Sequence, residues 1–102
     1  MEERIEVNEE KLDKIINVIN KLDDALNDFE NIQDGIKEVN KYYGSKEWFE
    51  AKEALENGKI QNVKAGVLSE DGVWNTNEVV KELIERMKQI SENLLNKDSQ
   101  SH

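Results

Sequence analysis

The chain has no cysteine and no proline among its 102 residues. The first absence excludes disulfides, zinc-thiolate sites and cysteine nucleophiles. The second leaves long helices free of their strongest breaker. Aromatics make up only 6% of the residues, and there is a single histidine, His102. No stretch approaches the roughly 20 apolar residues that a membrane helix needs, and no apolar N-terminal run reads as a signal peptide. The expected location is the cytoplasm.

Positive charge is also scarce. Lys and Arg total 14 against 23 Asp and Glu, a formal net charge of −9. The first 45 residues hold twelve of the acids and six of the bases. Such a surface repels polyanions, so nucleic acid and anionic membranes are not expected partners. A basic protein is the partner this charge would suit, although a solvated acidic face is the simpler reading.

What is abundant is amphipathic helix. At 36% hydrophobic and 36% charged, the composition fits helices with one narrow apolar stripe each. Apolar residues recur at Ile5, Leu12, Ile15, Ile19, Leu22, Leu26 and Phe29, and then at Ile32, Ile36, Val39 and Tyr43. This predicts a long helix over 5–43. Two successive three-residue steps, Leu26 to Phe29 to Ile32, break the heptad. Gly35 follows, and glycine costs about 1 kcal/mol relative to alanine inside a helix, so a kink is expected near Gln33-Asp34-Gly35.

Tyr42-Tyr43-Gly44 ends that helix, with Gly44 suited to a left-handed closing residue. Ser45 reads as the N-cap of a short helix over 46–56, with Trp48, Phe49, Ala51 and Leu55 as its buried face. Asn57-Gly58 is the next stop. Residues 59–68 contain Gly66, lack periodicity and read as an ordered loop. Ser69 is a further N-cap candidate, followed by Glu70 and Asp71 in the first turn, where acids meet the positive end of the helix dipole. A final helix over 70–96 carries Val73, Val80, Leu83, Met87, Ile90 and Leu94, and residues 97–102 form a polar tail expected to be disordered.

The expected architecture is a single all-α domain. Its long N-terminal helix lies antiparallel to the C-terminal one, with the short helix and the loop between them. A straight helix over 5–43 would span about 55 Å and the last helix about 35 Å. Either the first helix bends or another chain covers the overhang, so a homodimer through the long helices is one expectation.

Five of the six aromatics and four of the five glycines lie between Tyr42 and Trp74. Tyr42, Tyr43, Trp48 and Trp74 would line a ligand-stacking pocket or form a small core; the core reading is preferred, because aromatics bury roughly 150–250 Å² each and little else is available. Glu70 and Asp71, with Asn75 near, have the oxygen chemistry for calcium or magnesium. Their spacing does not match an EF-hand, and a capped helix start explains them. Asp23, Asp24 and Asp28 lack the histidine that a di-metal carboxylate bundle requires. No Ser-His-acid set and no phosphate loop can be assembled. No catalytic residue, cofactor or metal is expected, and the protein is not expected to be an enzyme.

The strings Tyr42-Tyr43-Gly44-Ser45-Lys46-Glu47-Trp48, then Gly58-Lys59, then Gly66-Val67-Leu68-Ser69-Glu70-Asp71 resemble a family of small bacterial proteins known only as a domain of unknown function, DUF4298. The resemblance covers about 40–75. Members often carry a proline just after the position of Lys59-Ile60, where this chain has Gln61-Asn62, which leaves the path of the loop open. It implies a small helical bacterial protein and brings no activity. Together these readings point to a non-enzymatic interaction or adaptor protein. The alternatives are an immunity- or antitoxin-like neutraliser of a basic partner, and a metal- or ligand-binding protein using the Ser69–Gly72 turn.

Overall fold

A computed structural model describes the backbone of residues 1–100 and the side chains of residues 1–96. The chain is all-α: α1 (Glu2–Asn31), α2 (Gln33–Tyr42), α3 (Lys46–Glu56), a 3-10 turn (Gly66–Leu68) and α4 (Glu70–Gln100). A long N-terminal and a long C-terminal helix are thus joined through shorter ones, with no strand among the described residues. None of these helices is long and apolar enough to cross a membrane. The chain divides into two compact units, Met1–Glu38 and Val39–His102.

In the first unit, α1 starts three residues earlier than the periodicity suggested, with Glu2 and Glu3 in its first turn. Negative charge in a first turn meets the positive end of the helix dipole. The interruption after α1 falls at Ile32 (φ −93°, ψ 0°) rather than at Gly35, which lies inside α2. Ile32 is where the two three-residue steps end, so the stripe's change of phase, not the glycine, locates the break. The backbone stays bonded across it: Ile32 N–H donates to Asp28 O (3.1 Å) and Ile36 N–H to Ile32 O (3.0 Å). No residue of α1 is buried.

The second unit is built around two turns that require left-handed glycine. After α2, Gly44 adopts φ +78°, and Ser45 N–H returns to Tyr42 O (3.0 Å). Ser45 is then extended (φ −71°, ψ 169°) and caps α3. At the far end of α3, Gly58 (φ +74°) completes a Schellman closure, with Gly58 N–H on Leu55 O (3.2 Å) and Lys59 N–H on Ala54 O (2.9 Å). These bonds satisfy carbonyls that a helix end leaves orphaned.

The loop expected over 59–68 ends in the 3-10 turn Gly66–Leu68. Helix continues through 97–100, where a tail was expected; Ser101 and His102 lie outside the described residues. Asn77 Nδ2 donates to Asn40 Oδ1 (2.7 Å), tying α4 to the last turn of α2. Among the described residues only Trp48 (4% exposed) and Val73 (7%) are buried hydrophobics. The buried face expected for α3 is corrected on one point: Phe49 is 59% exposed. Adjacent helical residues point about 100° apart, so Trp48 and Phe49 cannot both enter one narrow core.

Candidate functional site

The aromatic–glycine stretch forms a corner within the second unit, where the starts of α3 and α4 meet. Ser45 Oγ accepts from Trp48 N–H (3.2 Å), which fixes the first turn of α3 and turns the indole inward. The buried indole Nε1–H then donates to Val67 O (2.8 Å), in the 3-10 turn. Tyr43, just past α2, packs edge-on against Trp48 with ring centres 5.2 Å apart. Its hydroxyl donates to Glu70 O (2.6 Å) at the start of α4. The polar tips of both large aromatics are thereby used on backbone carbonyls, the usual requirement for burying Tyr and Trp.

Ser69 joins the two pieces of backbone. Its Oγ–H donates to Gly66 O (2.9 Å), and the same oxygen accepts from Gly72 N–H (2.9 Å). One hydroxyl closes the 3-10 turn and caps α4. The geometry leaves no room beside it: a Cβ on Gly72 would lie 2.5 Å from Ser69 Oγ and 3.0 Å from Gly66 O. Gly72 is therefore glycine for close approach.

Lys52, one turn after Trp48 on α3, covers the indole with its Nζ 5.2 Å from the ring centre and pairs with Glu70 Oε1 at 2.7 Å. The hydrogen bond to Lys52, reinforced by its charge, holds the Glu70 carboxyl below its ordinary range. The hydrogen bond to Glu70 raises the Lys52 ammonium in turn, against a smaller opposing effect of desolvation. Sequence reasoning missed Lys52. Its signal was the four-residue offset from Trp48, which stacks the two side chains on one helix face.

The structure brings together Tyr43, Ser45, Trp48, Ser69 and Glu70, with the backbone of Gly66 beside them, while Gly44 and Gly58 close α2 and α3. Tyr42 is half-buried at the edge of the corner. Trp74 does not join: it is 58% exposed, because its neighbour Val73 takes the inward direction. A pocket walled by Trp48 and Trp74 is thus not formed. Asp71 is exposed, and Glu70 is committed to Lys52. Among the described residues, no group of three or more His, Asp or Glu side chains is placed to hold a metal. No buried side-chain nitrogen or oxygen there lacks a partner.

The family described as "Domain of unknown function (DUF4298)" matches residues 5–90. The chain belongs to this family. No curated protein and no solved structure shows significant similarity to it.

Proposed function

We propose that this member of the DUF4298 family is a non-enzymatic interaction module that binds protein through the apolar stripe of α1. One observation carries the reading: a stripe running from Ile5 through Leu12, Ile19 and Leu26 over four heptads, with no residue of the helix buried. Complete burial of a Leu or Ile contributes roughly 1.5–3 kcal/mol. Several such residues together can offset the about 4–15 kcal/mol that association costs in lost freedom. The corner supports the same reading from the other side, since its buried side-chain polar atoms are all partnered.

The test is quantitative capture from the native cell with the full chain and with Ile19→Glu/Leu22→Glu as baits. The expected result is a partner retained by the first and lost from the second. Identical recovery on both baits overturns the proposal. Neutralisation of a basic protein is a second reading, favoured by the net charge of −9. It predicts an affinity that falls steeply with ionic strength, whereas stripe-driven binding is nearly indifferent to salt.

A further inference from the structure

Numbered as heptads, α1 places Ile5, Leu12, Ile19 and Leu26 at the a positions and Asn8, Ile15, Leu22 and Phe29 at d. A seam of this period is the pattern that two helices share in a left-handed coiled coil. Resting on the interaction reading above, we propose that the partner of α1 is α1 of a second copy of this chain, parallel and in register.

Three features of the first turns fix that occupant and its direction. Asn8 is the one polar residue in the seam. Its side-chain N–H donates to Arg4 O (2.7 Å), leaving its amide oxygen to accept from the amide of a facing asparagine. Only a parallel, in-register pair places Asn8 opposite Asn8; an antiparallel pair centred on the seam sets it against Leu26, where its amide oxygen has no donor. A single asparagine at an a position is a known device for selecting register, and Asn8 brings the same amide to a d position.

The flanking charges agree. Arg4 is at g and Glu9 at the following e, the two positions that face each other across a parallel pair. Among the described residues neither is in an ion pair, so both charges are open to the second copy. The antiparallel alternative would bring Glu9 against Asp23 and Glu2 against Glu30, two like-charged pairs on the e side. Finally, an open depression on the first turns is lined by Met1, Glu3, Arg4, Ile5, Asn8 and Glu9. It holds one a residue, the seam asparagine and both flanking charges, the set that a second copy would engage.

The absence of cysteine makes the test clean. Sedimentation equilibrium of the full chain is expected to give twice the 11.8 kDa chain mass. Leu12→Cys, which faces itself only in the parallel register, is expected to oxidise to a cross-linked dimer. Disulfides need Cα atoms within about 7 Å, so an antiparallel pair would instead cross-link a mixture of Leu12→Cys and Leu22→Cys chains. Ile19→Glu is expected to sediment as a monomer while the near-ultraviolet circular dichroism of Trp48 stays unchanged. A monomeric parent chain, an Ile19→Glu variant that remains dimeric, or cross-linking confined to the mixed chains each overturns the proposal. A monomer that still captures a stripe-dependent partner sinks the second copy and keeps the interaction module. A monomer that captures none sinks both.

Discussion

Trp48 donates its indole N–H to the carbonyl of Val67 at 2.8 Å, across 19 residues of sequence. The bond holds the start of α3 to the turn that precedes α4, and it makes Trp48 more than a space-filling ring. Trp48→Phe keeps most of the packing and orphans the carbonyl. An unsatisfied buried acceptor costs about 1–3 kcal/mol, and Trp48→Ala adds a cavity, for about 3–5 kcal/mol in all. Urea unfolding should rank the two variants in that order.

The two tryptophans should behave as opposites in solution. With Trp48 buried and Trp74 exposed, the Trp74→Phe protein is expected to fluoresce at short wavelength and resist acrylamide. The Trp48→Phe protein should emit at long wavelength and be quenched readily. Trp74→Ala is expected to change stability by no more than about 0.5 kcal/mol, as exposed substitutions do.

Gly35 and Gly72 both lie inside helices, and alanine should move them in opposite directions. Nothing lies within 4 Å of a Cβ at Gly35, so Gly35→Ala should stabilise by about 0.5–1 kcal/mol through reduced backbone freedom in the unfolded chain. Gly72→Ala drives a methyl into Ser69 Oγ and dislodges the cap of α4. The loss of an N-cap costs about 0.5–2 kcal/mol, which outweighs the helix preference of alanine. Thermal melts of the two variants, shifted up and down from the parent, would check this.

The Lys52–Glu70 pair gives stability a defined dependence on pH. The Glu70 carboxyl is depressed by its bond to Lys52, so its contribution is present above the unfolded carboxyl's range and lost as pH falls through the lower folded value. Lys52 is raised by the same bond, so its contribution is complete below the unfolded ammonium's range and lost as pH rises through the higher folded value. Glu70→Gln should therefore differ from the parent across the neutral plateau and converge with it at both extremes. Added salt should narrow the difference, because Glu70 is exposed to solvent. Denaturant midpoints measured from acid to alkaline pH provide the comparison.

Much of this architecture is written locally. Gly44, Ser45, Gly58 and Ser69 act as stop, cap, stop and cap, because positive φ and a short hydroxyl side chain are demands a single residue meets alone. The break at Ile32 was harder to place. Gly35 advertises flexibility, but the helix tolerates it, and the shift of the apolar stripe decides. Phe49 and Trp74 misled because aromatic content says nothing of direction: each sits one residue from the side chain that takes the inward position. The partners of Tyr43 and Trp48 were beyond reach in detail. They are backbone carbonyls, and every residue carries one.

Ser69 gives the corner a mechanical character that its size conceals. A single oxygen terminates one turn and starts the helix after it, while Tyr43 and Trp48 grip the carbonyls on either side. Opening at any of these points releases the others, so amides at the start of α3 and the start of α4 should exchange with deuterium at a common rate. Amides along α1, which share none of these ties, should set their own pace.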